Sequence, residues 1–161
     1  MAIFTLGGRK TLASLLKEVP VFLGVGSGDI AWDTVPAEPL ATDTALVAPV
    51  GVTRLREISF VAPDDAGDII MADTSRFLRV DDPTRYLYLE FKLDLSDANG
   101  STLRETGILV GVEIDPDVPA GQMYIPLADV AVTGTLIQVD RFNSIIRDGT
   151  LEQSFNFILT L

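Results

Sequence analysis

The chain has 161 residues, 47% of them apolar and only 7% aromatic, with 23 acidic against 12 basic side chains, a net charge of −11 and neither cysteine nor histidine. This excludes disulfide scaffolds, thiolate metal sites, cysteine nucleophiles and every histidine-based triad or general base. With no basic cluster to neutralise phosphates and no apolar run near the ~20 residues that cross a bilayer, nucleic acid and membrane are set aside as partners, and one soluble domain is expected.

Leu12, Leu15, Leu16 and Val19 fall at i, i+3, i+4 and i+7, one stripe of a short helix that Pro20 ends. Such a helix is marginal alone, so the stripe must lie on the chain's own core, the favoured choice, or on a neighbouring subunit. Gly24-Val25-Gly26-Ser27-Gly28 invites a phosphate-loop reading, but no helix or lysine follows, and Asp29-Ile30-Ala31-Trp32-Asp33 with Pro36 and Pro39 reads as a flexible turn. Trp32 either pins that turn locally or anchors an interface. Three glycines at alternate positions and two prolines, with no alternation to tie them to a sheet, predict an arm over Phe22–Pro39 that orders against a partner and leaves Trp32 exposed in the isolated subunit. Residues 1–50 thus read as an N-terminal helix and assembly arm, and 51–161 as a sandwich-like domain.

From Arg54 the pattern turns to strands. Arg54–Val61, Ile69–Ala72 and Phe77–Val80 are separated by Pro63–Asp68 and by further polar residues. Leu87, Leu89, Phe91, Leu93 and Leu95 then alternate with Tyr88, Glu90, Lys92 and Asp94, one apolar strand face against a charged one. Asn99-Gly100 supplies hairpin-turn residues, and Leu103–Val110 is expected to return as the partner strand. Met123–Leu127 and Leu136–Phe142 are short strands. Arg147-Asp148-Gly149-Thr150 is a second hairpin turn, leading into an alternating strand that ends at Leu161, so that the chain is expected to end inside its own sheet.

No nucleophile–base set can be assembled from these residues. Asp97 and Asn99 lack the acids a calcium loop needs at both ends. Asp64, Asp65, Asp68, Asp81 and Asp82 sit where aspartate caps turns, and Glu57, Glu90 and Glu105 are explained by cross-strand ion pairs. Neither metal nor cofactor is expected, and no enzymatic activity.

Two stretches carry a resemblance. Phe22-Leu23-Gly24-Val25-Gly26-Ser27-Gly28-Asp29-Ile30-Ala31-Trp32-Asp33 with Pro36 resembles the opening of small phage tail-fibre and baseplate-associated proteins. Leu103-Arg104-Glu105-Thr106-Gly107-Ile108-Leu109-Val110 is similar to the Arg-Glu-x-Gly strand of tail-collar fibre N-terminal domains, and Phe142–Ile158 fits the same pattern. The resemblance implies a structural protein of the virion tail, assembled in the host cytoplasm with other tail or baseplate proteins and as a homo-oligomer. Fibre proteins continue into long shafts, whereas a closing strand is read here, so an adaptor or baseplate subunit is expected rather than a receptor-binding tip. The alternative is a stand-alone carbohydrate- or receptor-binding β module, which would display Tyr86, Tyr88 and Tyr124 in a groove. The fold expected is mainly β, an antiparallel sandwich or barrel-like domain with one short N-terminal helix and an irregular N-terminal arm. The candidate interface residues are Leu12, Leu15, Leu16, Phe22 and Trp32.

Overall fold

A threonine opens the one α-helix. In the computed structural model, which describes residues 1–161, Thr5 Oγ1 accepts a hydrogen bond from the Gly8 amide at 3.1 Å and caps α1 (Leu6–Lys17). Lys17 in the last turn suits the negative end of the helix dipole. The strands are β1 (Val21–Gly26), β2 (Pro49–Arg54), β3 (Glu57–Pro63), β4 (Ile69–Ile70), β5 (Arg76–Arg79), β6 (Tyr86–Leu93), β7 (Thr102–Val110), β8 (Glu113–Ile114), β9 (Tyr124–Pro126), β10 (Val130–Val132), β11 (Thr135–Ile146) and β12 (Gln153–Thr160), with 3-10 turns at Ile30–Asp33 and Leu127–Asp129. Strand outweighs helix, 43% against 12%, and the antiparallel β-structure includes a sheet curled into a half-barrel, so the mainly β, barrel-like expectation holds. No helix is long and apolar enough to cross a membrane.

The chain forms two compact units. The first takes Met1–Val19, Arg56–Phe91 and Phe155–Leu161; the second takes Pro20–Leu55 and Lys92–Ser154. The first holds α1 and most of a sheet ordered β12-β6-β3-β5-β4. Within it Phe60 pairs with Leu87 and Ile58 with Leu89, and Val61, Ile69, Phe77 and Tyr88 form a core cluster. Alternation in β6 has the expected effect, since Leu87, Leu89, Phe91 and Leu93 are all fully buried. Phe91 meets the Phe157 ring edge-on at 6.2 Å. Leu95 lies past the end of the strand and is exposed.

The second unit holds a sheet ordered β11-β7-β1-β2-β9 and a ribbon of β8 and β10. β1 lies between β7 and β2 and is buried at all six positions, with Phe22 in a cluster with Val52, Leu109 and Ile125. The irregular stretch is therefore shorter than composition suggested. Val21–Gly26 is a central strand, and only residues 27–48 run without one, interrupted by a single 3-10 turn.

Neither expected hairpin forms. β6 and β7 belong to different sheets, as do β11 and β12, so the segments joining them are crossings from sheet to sheet. A third crossing falls inside the strand expected over Arg54–Val61, which breaks at Leu55-Arg56 into β2 and β3. Alternation fixes which face a strand buries; it does not say which neighbour its backbone joins. Turn chemistry misled in the same way. Gly100 and Ala98, not Asn99, take the positive φ values of 82° and 54°, and the Gly100 amide donates to the Arg147 carbonyl at 2.7 Å.

Arg147 is 3% exposed and ties two of these crossings together. Its guanidinium donates to the carbonyls of Asp94 at 2.6 Å, Leu151 at 2.7 Å and Asp97 at 3.2 Å, and its amide donates to Ser101 at 2.9 Å.

Two thermal melts check this account. Phe91→Ala removes a fully buried ring and is expected to cost about 3–5 kcal/mol. Arg147→Ala strands three buried acceptors at roughly 1–3 kcal/mol each, and Arg147→Lys is expected to recover little of the loss, because one ammonium does not reproduce a planar fork. A melt unmoved by either change would overturn the assignment of that residue.

Candidate functional site

Of the five side chains expected at an interface, the structure leaves two on the surface. Leu12 and Leu15 are 47% and 59% exposed, Leu16 is half-buried, and Phe22 and Trp32 are buried at 5% and 8% exposure. Phe22 and Trp32 thus belong to the chain's own packing, which corrects their reading as exposed parts of an arm.

The cause lies in how residues 27–48 are anchored. Gly24 stands opposite Gly107 in the β1–β7 register. Leu46 lies over both: a Cβ on Gly24 would come within 3.1 Å of its Cδ1, and one on Gly107 within 3.0 Å of its Cδ2. The glycines that hinted at a phosphate loop are instead strand positions kept bare for a leucine. The fully buried Glu105 accepts hydrogen bonds from the amides of Ala48 at 2.8 Å and Val47 at 3.1 Å. Arg104 holds Asp33 in a bidentate pair, Nε–Oδ1 at 2.6 Å and Nη2–Oδ2 at 2.9 Å, and donates to the Ser27 carbonyl at 3.1 Å. The Arg141 guanidinium lies 4.9 Å from the Trp32 ring centre and donates to the Asp43 carboxylate at 3.0 Å and the Glu38 carbonyl at 3.1 Å. Arg104 and Glu105 therefore serve a segment over 50 residues away in sequence, where the sequence had suggested local cross-strand pairs.

The turn acids do what their sequence context predicts. Asp64 accepts from the Ala66 amide, Asp115 from Asp117 and Asp148 from Thr150, each about 3 Å away. Glu57 pairs with Arg79 at 2.6 Å, which holds its carboxyl below the usual range against the opposing effect of burial. Tyr88 is buried, and that burial, with Glu90 beside it, pushes its hydroxyl up to about 12. Tyr86 and Tyr124 are half-buried, so the three tyrosines form no exposed stacking platform.

What remains for a partner is α1. Its only buried residue is Ala13; Arg9, Ser14, Leu16 and Lys17 are half-buried, and the Lys17 ammonium sits 4.6 Å from the Phe60 ring centre. Ile3, Phe4, Leu6, Leu12, Leu15 and Val19 are all exposed. The favoured expectation, that the stripe covers the chain's own core, is not met. Scattered exposed leucines are ordinary, but six large apolar side chains within 17 residues make a patch of the kind that marks an interaction site.

The Asp33–Arg104 pair yields a pH prediction. Hydrogen bonding to Arg104, helped by Ser144 and opposed by desolvation, lowers the Asp33 pKa below 3.8. A carboxyl with a depressed folded-state pKa contributes stability above its unfolded value and loses it as pH falls through the folded one. Trp32 emission is expected to be blue and quencher-protected at neutral pH and to shift red only below the usual carboxylate range. Asp33→Asn should loosen Trp32 already at neutral pH and flatten that acid step. An unchanged acid profile in Asp33→Asn would remove the pair from this role.

A family model described as "Baseplate wedge 3 tail fiber network component" matches residues 1–161. Among curated proteins nothing matches. The match agrees with the resemblance carried by Phe22–Asp33 and Leu103–Val110. The chain belongs to the family of baseplate wedge 3 tail fiber network components.

Proposed function

We propose that the chain is a non-enzymatic structural subunit of a phage tail baseplate that couples to neighbouring tail proteins through the bare face of α1. The single observation carrying this is that a twelve-residue helix buries only Ala13 and leaves Leu12, Leu15 and Val19 in solvent. A helix this short draws its stability from packing rather than propensity. Its exposed leucines therefore make sense as a face that a partner completes, in the helix-in-groove manner.

Charge narrows the partner. Residues 1–19 carry Arg9, Lys10 and Lys17 against Glu18 alone, while the whole chain is at −11. The occupant that fits is an apolar groove with an acidic rim on another tail protein, steered to α1 by its positive charge. On this reading the assembly segment is the first 19 residues rather than all of residues 1–50. Copies of the chain repeat around the tail axis in the virion, after assembly in the host cytoplasm.

Co-expression with the other baseplate proteins tests the proposal. Leu12→Glu/Leu15→Glu is expected to reduce co-purification at least tenfold while leaving the melting temperature of the isolated chain within a few degrees, since both side chains are exposed and surface changes cost about 0.5 kcal/mol or less. Full retention of the partners by this variant would remove α1 as the assembly surface.

A further inference from the structure

Edge strands present unpaired amides and carbonyls, and proteins protect them with short length, charge, proline or bulges. Three of the four outer strands here carry such devices. β4 has two residues, and β9 has three and ends on Pro126. β11 contains Asp140 and Arg141, and its register against β7 shifts twice, between Leu136 and Gln138 and between Arg141 and Ile145. β12 carries none of them. It has eight residues, Gln-Ser-Phe-Asn-Phe-Ile-Leu-Thr, without charge, proline or glycine, and is the outermost strand of its sheet beside β6. A strand of this composition with a free edge is a ready template for another strand.

We propose that β12 of one copy pairs antiparallel with β12 of a second copy, continuing the five-stranded sheet across a twofold axis. Electrostatics selects this occupant. Each chain carries −11, and like charges directly opposite destabilise a ladder, so an uncharged strand lets two copies meet without opposing charges at the seam. Side-chain alternation selects the register. Phe155 and Phe157 are half-buried and Leu159 is buried, whereas Ser154, Asn156 and Thr160 are exposed. Opposite residues must share a face. With Phe157 on the axis, Phe155 faces Leu159 of the second copy and Ser154 faces its Thr160, so apolar meets apolar and hydroxyl meets hydroxyl. The interface is isologous, the same strand used by both copies.

The chain has no cysteine, so introduced thiols report contacts without background. Ser154→Cys and Thr160→Cys, mixed and mildly oxidised, are expected to give a disulfide-linked dimer that neither variant gives alone. Ser154→Lys/Asn156→Lys places two charges on exposed positions of the strand. It should shift the chain from dimer to monomer in light scattering without lowering the melting temperature. The proposal is overturned if the unmodified chain is monomeric at every concentration, or if Ser154→Cys crosslinks as well by itself as in the mixture. It is equally overturned if the β12 amides gain hydrogen-exchange protection only when another baseplate protein is added, which would assign the edge to that protein's strand. The proposal is independent of α1: Leu12→Glu/Leu15→Glu is expected to leave the β12 dimer intact, so the two readings fail separately.

Discussion

Three backbone carbonyls converge on one buried guanidinium, and the path of the chain depends on that meeting. Arg147 receives Asp94, Asp97 and Leu151 from the loops that carry the chain between its sheets, while its own amide and carbonyl close a further pair of bonds with Ser101 and Gly100. Loop backbone buried without partners is costly, and arginine, with five donors in a fixed plane, can satisfy several acceptors at once. A lysine or a water at that point would meet fewer of them, and the crossings would lose their common anchor.

The same economy recurs in the stretch without strands. Residues 27–48 have few apolar side chains to hold them, and their order comes from Arg104, Glu105 and Arg141, all projecting from β7 and β11. Glu105 is fully buried yet accepts two amides, so its charge is met by donors rather than left bare. Glycines at 24 and 107 keep the strand surface low enough for Leu46 to settle on it. An irregular segment is thereby made part of the unit's interior without forming a regular element.

Face assignments were legible in the sequence and neighbours were not. Leu87, Leu89, Phe91 and Leu93 declared a buried face by alternation alone, because side-chain direction in a strand is a local property. That β6 joins β3 and β12 instead of β7 is a long-range choice, and turn-like residues at 97–100 and 147–150 suit a sheet-to-sheet corner as well as a hairpin. The helix was legible through the spacing of its leucines, but spacing cannot say what covers a stripe, and nothing in this chain covers Leu12 or Leu15. Arg104 and Glu105 were visible only as charges on a strand. Their partners lie 57 or more residues away, a distance at which a single sequence carries no pairing signal. The family resemblance rested on motifs of this second kind: the Gly-x-Gly run and the Arg-Glu pair are the two sides of one packing arrangement.

The interleaving of the two units bears on how the protein is made. β6 and its neighbour β12 are separated by roughly 60 residues, all of the strands from β7 to β11 lying between them. At a translation rate of roughly 5–20 residues per second, β6 waits about 3–12 s on the ribosome with one side of its ladder empty. The second unit is interrupted likewise, since β1 and β2 emerge long before the β7 strand that β1 must join. Neither unit can close behind the other during synthesis. Folding is therefore held back until both sets of segments are out, and the nascent chain passes through a stage in which its open strands are exposed to chaperones and to neighbouring nascent chains alike.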